Sequence, residues 1–306
     1  MSIHTKKLVS IGFPTYAGEA RIRNALDSLL AQTYTEIELI ISDNASPDVT
    51  ASICREYAAR DSRIRFFQQK ENTGRINNFI FVLDQAQGKF FFWAGDDDQW
   101  APTFIATLVE GLERHSDCGV ALSSYRRFNA ESKDSQIVSF AGQDALTDLS
   151  YYTVFKKMVM HEPIHIFFSG IWRRDLLKRL FTRPVPATIA WDRVIMAEAA
   201  LYTHFYSVGD ILFDKYLNPI SIKSRHHKDA EQRRQLVPFA YLRYAGTLLG
   251  RIISSPLVPW YRKLYAPVPW LGNLWHRRKR IIGVALRDAR RLRMSSAKGS
   301  DCSVTK

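Results

Sequence analysis

The chain has 306 residues, 46% of them apolar, enough for a sizeable core and for one large or two ordinary domains rather than a disordered chain. Its formal charge of +13 is carried entirely by residues 231–306, which hold 16 Lys and Arg against 3 Asp and Glu, while residues 1–230 balance at 27 of each. The three cysteines, Cys54, Cys118 and Cys302, form no CxxC pair, and no run reaches the roughly 18 apolar residues of a membrane-spanning helix, so a disulfide framework, a zinc site and a bilayer span are not expected. Nor does an apolar stretch of signal-peptide length precede the first strand. Reduced cysteines in a cytoplasmic, soluble or peripheral protein are the expectation.

In chain order, Leu8–Phe13 is an apolar strand ended by Pro14 and Gly18. Over Glu19–Gln32 the apolar positions Ile22, Ala25, Leu26, Leu29 and Leu30 have helical spacing. Ile37–Ser42 is a second strand that empties into Asp43-Asn44-Ala45-Ser46-Pro47. Ser46 as N-cap and Pro47 as first helical residue open a helix to about Arg60. Arg63–Gln68 is a third strand, Asn72-Thr73-Gly74 a turn, and Ile76–Gln85 a third helix. Phe90–Trp93 is a fully apolar fourth strand, Pro102–His115 a helix begun by its proline, and Gly119–Ser124 a strand. Arg126–Asp148 reads as surface loop or hairpin. Helices are expected over Tyr151–Met160, Arg173–Leu180 and Trp191–Ala200, and strands over Ile166–Trp172, His204–Val208 and Ile211–Lys215.

Alternating strands and helices predict an α/β fold, a mostly parallel sheet with helices on both faces. The strands ending at Phe13, Ser42 and Trp93 then share one rim, and each is followed by polar, turn-rich sequence: PTYAGE, DNASPD and GDDDQW. In open α/β sheets ligands bind at that rim. Asp96, Asp97 and Asp98 repel one another unless a cation sits among them. A hard divalent ion, which takes one or two carboxylates plus substrate phosphates, suits them; a solvated acidic turn is the plain alternative.

The order PTYAGE, SDNASPD, ENTGRINN and WAGDDDQWAP, over roughly residues 7–230, resembles the inverting family-2 glycosyltransferases of the GT-A fold. The resemblance implies transfer of a sugar from a nucleotide-diphosphate donor to an acceptor hydroxyl, with Mg²⁺ or Mn²⁺, by one direct displacement. It places Pro14, Thr15 and Tyr16 along the nucleobase and ribose, Glu19 as the acidic residue of the nucleotide-sugar site that opens the first helix, and Asp43 against the base, with an Asx turn in DNAS as the alternative for Asp43. Asn72, Gly74, Arg75 and Asn77 or Asn78 fall beside the diphosphate. The Asp-x-Asp metal motif is Asp96 and Asp98 when read literally. Counted back from Pro102, its two Asp positions are Gly95 and Asp97. Asp97 is then the main metal ligand, Asp96 is near the ribose, and Asp98 is next to the metal or donor sugar. Some ninety residues on, Asp192 in Ala190-Trp191-Asp192-Arg193 matches the catalytic base; its competing role is to favour a helix N-terminus. Gly170, Trp172 and Arg173 border the acceptor side, with Trp172 either stacked on a sugar or in the core. Arg225-His226-His227 resembles the element that closes over the diphosphate. As domains, the resemblance implies a GT-A unit over 1–230, with a donor half to about 125 and an acceptor half from 126.

Residues 231–306 lie outside the resemblance and form a basic, aromatic-rich helical tail. Its prolines, its tryptophans and the run His276-Arg277-Arg278-Lys279-Arg280 precede an amphipathic stretch from Ile281. Such a tail suits an anionic membrane surface; packing on the catalytic domain is the rival, and no nucleic-acid motif is present. The reading is a metal-dependent glycosyltransferase at the inner face of the cytoplasmic membrane. Its acceptor is lipid-linked or saccharide, and its product belongs to a surface polysaccharide or glycolipid. The rivals are a nucleotidyltransferase, which wants a basic phosphate loop that PTYAGE lacks, and a degenerate sugar-nucleotide-binding scaffold.

Overall fold

Strands β1 (Val9–Thr15), β2 (Ile37–Asp43) and β4 (Phe90–Trp93) are buried at every position. Runs without a wet face can only lie inside a sheet covered on both sides. In the computed structural model, which describes residues 7–129, 134–140, 145–160, 169–185, 191–217, 240–276 and 278, these strands do lie there. β3 (Ile64–Gln68) joins β2, and β1 lies between β2 and β4, all parallel. The described strands follow the order β3-β2-β1-β4-β8-β6-β9-β5. β8 (Ile171–Arg173) runs antiparallel between β4 and β6 (Cys118–Asn129). β6 is parallel to β9 (His204–Leu217) and forms a hairpin with β7 (Ser135–Val138).

Chain order moves outward from β1 through β2 to β3, then returns to β4 on β1's other side. That reversal opens a crevice at the carboxyl ends of β1 and β4. Helices α1 (Ile22–Leu30), α2 (Thr50–Arg60), α3 (Arg75–Asp84) and α4 (Phe104–Arg114) connect these strands. The core beneath the crevice is aromatic. Phe91 meets Trp93 edge-on at 4.8 Å, and Phe92 lies 5.4 Å from Phe104. Phe90, Phe91 and Phe92 are wholly buried, and each such side chain contributes about 1.5–3 kcal/mol of burial free energy.

Four expectations change in the structure. First, α2 begins at Thr50, not at Ser46-Pro47. The Asp43 carboxylate accepts from the Ser46 N–H at 3.2 Å and from the Ser46 hydroxyl, so Ser46 is spent on an Asx turn. The helix is opened instead by Asp48, which accepts from the Thr50 N–H at 3.0 Å. Second, α4 begins at Phe104, past Pro102. The Pro102 carbonyl accepts from Thr33 N–H at 2.8 Å, and the Gln32 side chain, beyond α1, accepts from Ile105 N–H at 3.1 Å. Third, β9 is one strand across Gly209 and Asp210. Ser123 faces Val208 and Ser124 faces Ile211, so the two residues between are accommodated as a bulge. Fourth, Asp98–Trp100 is a strand, β5, antiparallel to β9.

The chain divides into two compact units. One carries all the described strands with α1–α4 and α6 (Arg174–Phe181). The other carries α7 (Trp191–Tyr202), α8 (Ala240–Ile253), α9 (Trp260–Lys263), α10 (Pro267–His276) and the later residues of α5 (Tyr151–Met160). Within this second unit, buried Glu198 of α7 pairs with buried Arg251 of α8 at 2.5 Å. The Trp270 indole N–H donates to the Ala245 carbonyl at 2.8 Å, which seats α10 on α8. The amphipathic stretch expected from Ile281 lies outside the described residues.

Candidate active site

Thr15 is the last residue of β1, and its hydroxyl donates to Asp96 Oδ2 at 2.8 Å. This bond joins the first and fourth strand ends across the crevice. Asp96 is buried, and the Thr15 hydroxyl is a fixed donor to it where water has little access. Gly18 comes close against it: a Cβ there would stand 2.8 Å from Asp96 Oδ2 and 2.9 Å from Thr15 Oγ1. Gly18, expected only to break the strand, thus sets how near the first loop approaches the carboxylate. That loop is tied to the next one. Ala17 N–H donates to Ser46 Oγ at 3.0 Å and Gly18 N–H to Thr50 Oγ1 at 2.9 Å. Glu19 N–H donates to Asp48 Oδ2, and Glu19 Oε2 accepts from Val49 N–H, both at 3.4 Å. Pro14 is buried in β1 and Tyr16 is half-buried in the loop.

Asp43 closes β2 and is wholly buried, held by Ser46. The Asx turn of the DNAS run is thus present at this residue. Asn44 carries the rim to the third loop. Its N–H donates to the Thr15 carbonyl at 3.0 Å, its amide donates to Asn72 Oδ1 at 2.9 Å, and its Oδ1 accepts from Thr73 N–H at 3.0 Å. Asn72 Oδ1 also accepts from Gly74 N–H at 2.9 Å. Asn44 was not singled out in the sequence; the turn-forming DNAS run is the signal that could have marked it. Asn78 is buried beneath. It accepts from the Ser42 hydroxyl at 2.6 Å and donates to the Ser42 carbonyl at 3.0 Å, so it clamps strand ends rather than reaching outward. Arg75 and Asn77 are exposed at the start of α3.

The three carboxylates separate by role. Asp96 faces Thr15. Asp97 is half-buried between its neighbours. Asp98, expected beside the metal or donor sugar, accepts from Lys215 Nζ at 2.9 Å and from Tyr216 N–H at 3.3 Å, which fastens β9 to the rim. Lys215 escaped the sequence reading because nothing local marks a lysine near the end of a distant strand. Among the described residues no group of three or more His, Cys, Asp or Glu forms a ready-made metal cage. Asp96 and Asp97 nevertheless supply hard oxygen donors of the number that Mg²⁺ combines with substrate phosphates, so the donor set fits such an ion. Burial first, and then the Asp43 and Asp96 charges, push the Cys54 thiol up to about 12.

Of the residues expected on the acceptor side, Gly170 packs against Leu122 and the Ala121 backbone. Trp172 is wholly buried in β8, edge-on to Phe205 at 6.4 Å, so it is a core residue with no open face for a sugar. Arg173 donates to the carbonyls of Cys118 at 2.9 Å and Leu112 at 2.5 Å, the latter in the last turn of α4. Asp192 lies in the first turn of α7, half-buried, in the second unit. His226 and His227 lie outside the described residues.

The profile of glycosyl transferase family 2 matches residues 10–181, more than half of the chain, which therefore belongs to that family. A glycosyltransferase of Haemophilus influenzae described as uncharacterized is 29% identical over 185 residues, covering 58% of this chain and 56% of its own. Glycosyltransferase GlyA of Streptococcus pneumoniae is 28% identical over 210 residues, covering 69% of this chain and 27% of its own. The match thus spans just over half of the first relative and about a quarter of the second. Among solved structures, Staphylococcus aureus TarS 1-349 in complex with UDP-GlcNAc aligns with TM-score 0.67 and 18% identity over 89% of this chain and 73% of its own. Mannosyltransferase PcManGT from Pyrobaculum calidifontis in complex with GDP-Man and Mn2+ aligns with TM-score 0.57 and 17% identity, over 99% and 82%. The fold is GT-A, as the resemblance implied.

Proposed function

We propose that this protein moves a sugar from a nucleotide-diphosphate donor to an acceptor hydroxyl, with inversion at the anomeric carbon. The observation that carries the reading is the Thr15–Asp96 junction at the reversal point of the sheet, in a chain of this family. The complexes of the structural relatives with UDP-GlcNAc, and with GDP-Man and Mn2+, support a similar donor and a divalent cation here. Pro14, Thr15, Tyr16 and Asp43 surround the base and ribose in this reading, and Glu19 belongs to the same nucleotide-sugar site ahead of α1. Asn72, Gly74 and Arg75 sit beside the diphosphate, where a guanidinium would pair with phosphate oxygens. Asn78 keeps the loop ends together.

Asp97, with Asp96 beside it, would hold Mg²⁺ or Mn²⁺. The cation would supply positive charge to the departing diphosphate. Asp98 keeps β9 in place through Lys215. Asp192 takes the proton from the attacking acceptor hydroxyl. Gly170 and Arg173 shape the acceptor side by holding β8, and His226 closes over the donor. The acceptor is lipid-linked or saccharide, met at the inner face of the cytoplasmic membrane during synthesis of a surface polysaccharide or glycolipid. No described helix is long and apolar enough to cross a membrane.

A thermal-shift screen against UDP-, dTDP- and GDP-sugars, with and without Mn²⁺, tests the donor site. One donor is expected to raise Tm only with metal, since a ligand at 100 times its Kd adds about 2.7 kcal/mol to the folded state. Asp97→Ala should abolish that metal dependence. Asp192→Asn should keep the shift and lose turnover by about 10²-fold or more. No shift with any donor from folded protein would overturn the donor site, and undiminished turnover by Asp192→Asn would displace the base.

A further inference from the structure

Helix α10 is fixed by one face and bare on the other. Its inner face carries Pro269 and the Trp270 indole, which bonds to Ala245 of α8, together with Asn273, whose amide donates to the Val159 carbonyl at 2.6 Å. The opposite face carries Val268, Leu271 and Trp275, which are 64%, 56% and 69% exposed. Leu264 and Trp260, at 67% and 74%, continue the same spacing back into α9. The steps 260, 264, 268, 271 and 275 are of three or four residues, so within α10 the exposed side chains stand in one stripe. A helix seated by Pro269, Trp270 and Asn273, with Val268, Leu271 and Trp275 turned outward, presents a surface for another phase or partner.

Along the sequence that carries this stripe, charge is of one sign. Residues 232–287 contain 11 Lys and Arg and no Asp or Glu. Lys263 borders the stripe, and the Arg278 guanidinium stands 4.3 Å over the Trp275 ring. A second copy docked symmetrically on this face would bring the Lys263 and Arg278 charges of both copies together, which like-charge repulsion disfavours. A tryptophan at each end with aliphatic residues between suits the headgroup boundary of a bilayer, where indoles settle at the interface and basic side chains meet anionic lipids. At ten residues α10 is too short to span a bilayer and can only lie in its plane.

We infer that Trp260, Leu264, Val268, Leu271 and Trp275 form a docking face for an anionic lipid bilayer. The inference gives the membrane location of the proposed function its contact surface. It rests on that location but not on the donor site, and vesicle binding reads it without turnover.

The full chain is sedimented with large vesicles of phosphatidylcholine alone, or with about one third phosphatidylglycerol, at low and high salt. The wild type is expected in the pellet with anionic vesicles, less so with neutral ones and less at high salt. Its tryptophan emission should shift to the blue and be quenched by brominated lipid. Leu271→Asp combined with Trp275→Ser should lower partitioning by about tenfold or more while the far-UV spectrum and melting temperature hold. Should that variant not fold, Trp260→Ser alone and brominated-lipid quenching of the wild type decide the same point. A wild type that stays in the supernatant, or variants that bind as tightly as wild type, would overturn the inference. So would equal binding to neutral vesicles. Self-association abolished by the same substitutions, without vesicle binding, would assign the face to a second copy.

Discussion

Gly74 opens α3 at φ 85°, ψ 156°, a region of backbone space essentially confined to glycine. A Cβ there would touch nothing within 4 Å, so the constraint is the backbone itself rather than crowding. Its N–H belongs to the Asn44–Asn72–Thr73 network, which depends on this turn. Gly74→Ala should therefore destabilise the protein by about 1–3 kcal/mol in urea unfolding and weaken donor binding with it. An unchanged urea midpoint would contradict this account. Ala45, at φ 56°, is the reverse case. It holds a left-handed conformation without being glycine, and Ala45→Gly should be neutral or gain at most about 1 kcal/mol, the relief being offset by a freer unfolded chain. At this scale the acidic triplet was legible as a group, because three adjacent carboxylates after an apolar strand are conspicuous. How they divide was not, because Thr15 and Lys215, 81 and 117 residues from their partners, decide it.

Among the elements, the pairing of β1, β2 and β3 is pinned by one buried carboxylate. Glu38 of β2 accepts from the Ser10 hydroxyl at 2.6 Å, from Gln87 N–H at 2.7 Å and from Arg65 at 2.8 Å. Burial alone would raise its pKa, but these donors together hold it below the ordinary value. A carboxyl whose folded pKa is depressed contributes stability above its unfolded value of about 4.3, and that contribution fades as pH falls through the folded value. Wild type should then exceed Glu38→Gln in stability at pH 7, with the gap closing below about pH 4.5 in urea titrations. A gap constant from pH 7 to pH 3 would assign the difference to packing. The strand–helix alternation was legible because each run is uniformly apolar or helically spaced. The starts of α2 and α4 were not: at α2 the Asp43 turn withdraws Ser46 and leaves Asp48 to bond Thr50, two local patterns that compete, and at α4 the distant Gln32 supplies the bond at Ile105. The bulge that makes β9 one strand likewise exists only against β6.

Across the whole molecule, Cys54 and Cys118 report on global rather than local opening. Burial pushes the Cys54 thiol up to about 12 and the Cys118 thiol up to about 11, so neither supplies thiolate near neutral pH. In native protein at pH 8 both should resist a thiol reagent, and their modification should follow the urea unfolding curve. Fast labelling of either in the absence of urea would show local opening beside the rim or at the start of β6. The division into two units also belongs to this scale. It groups α7, with Asp192, with the C-terminal helices, although the sequence resemblance runs through α7 without a break. The Glu198–Arg251 pair is the physical link: two charges that far from water hold each other, and no local pattern announces a partner 53 residues away.

The sequence by itself determined the α/β class, the family resemblance, the rim on which three loops converge and the confinement of the charge to residues 231–306. These follow from local composition and period, which a chain carries wherever it folds. Only the tertiary structure decided that Asp96 answers to Thr15 and Asp98 to Lys215, that Trp172 is core, and that α10 turns Leu271 and Trp275 outward. Those outcomes depend on which distant groups arrive within hydrogen-bonding or packing distance, and a linear pattern records the groups but not their meeting.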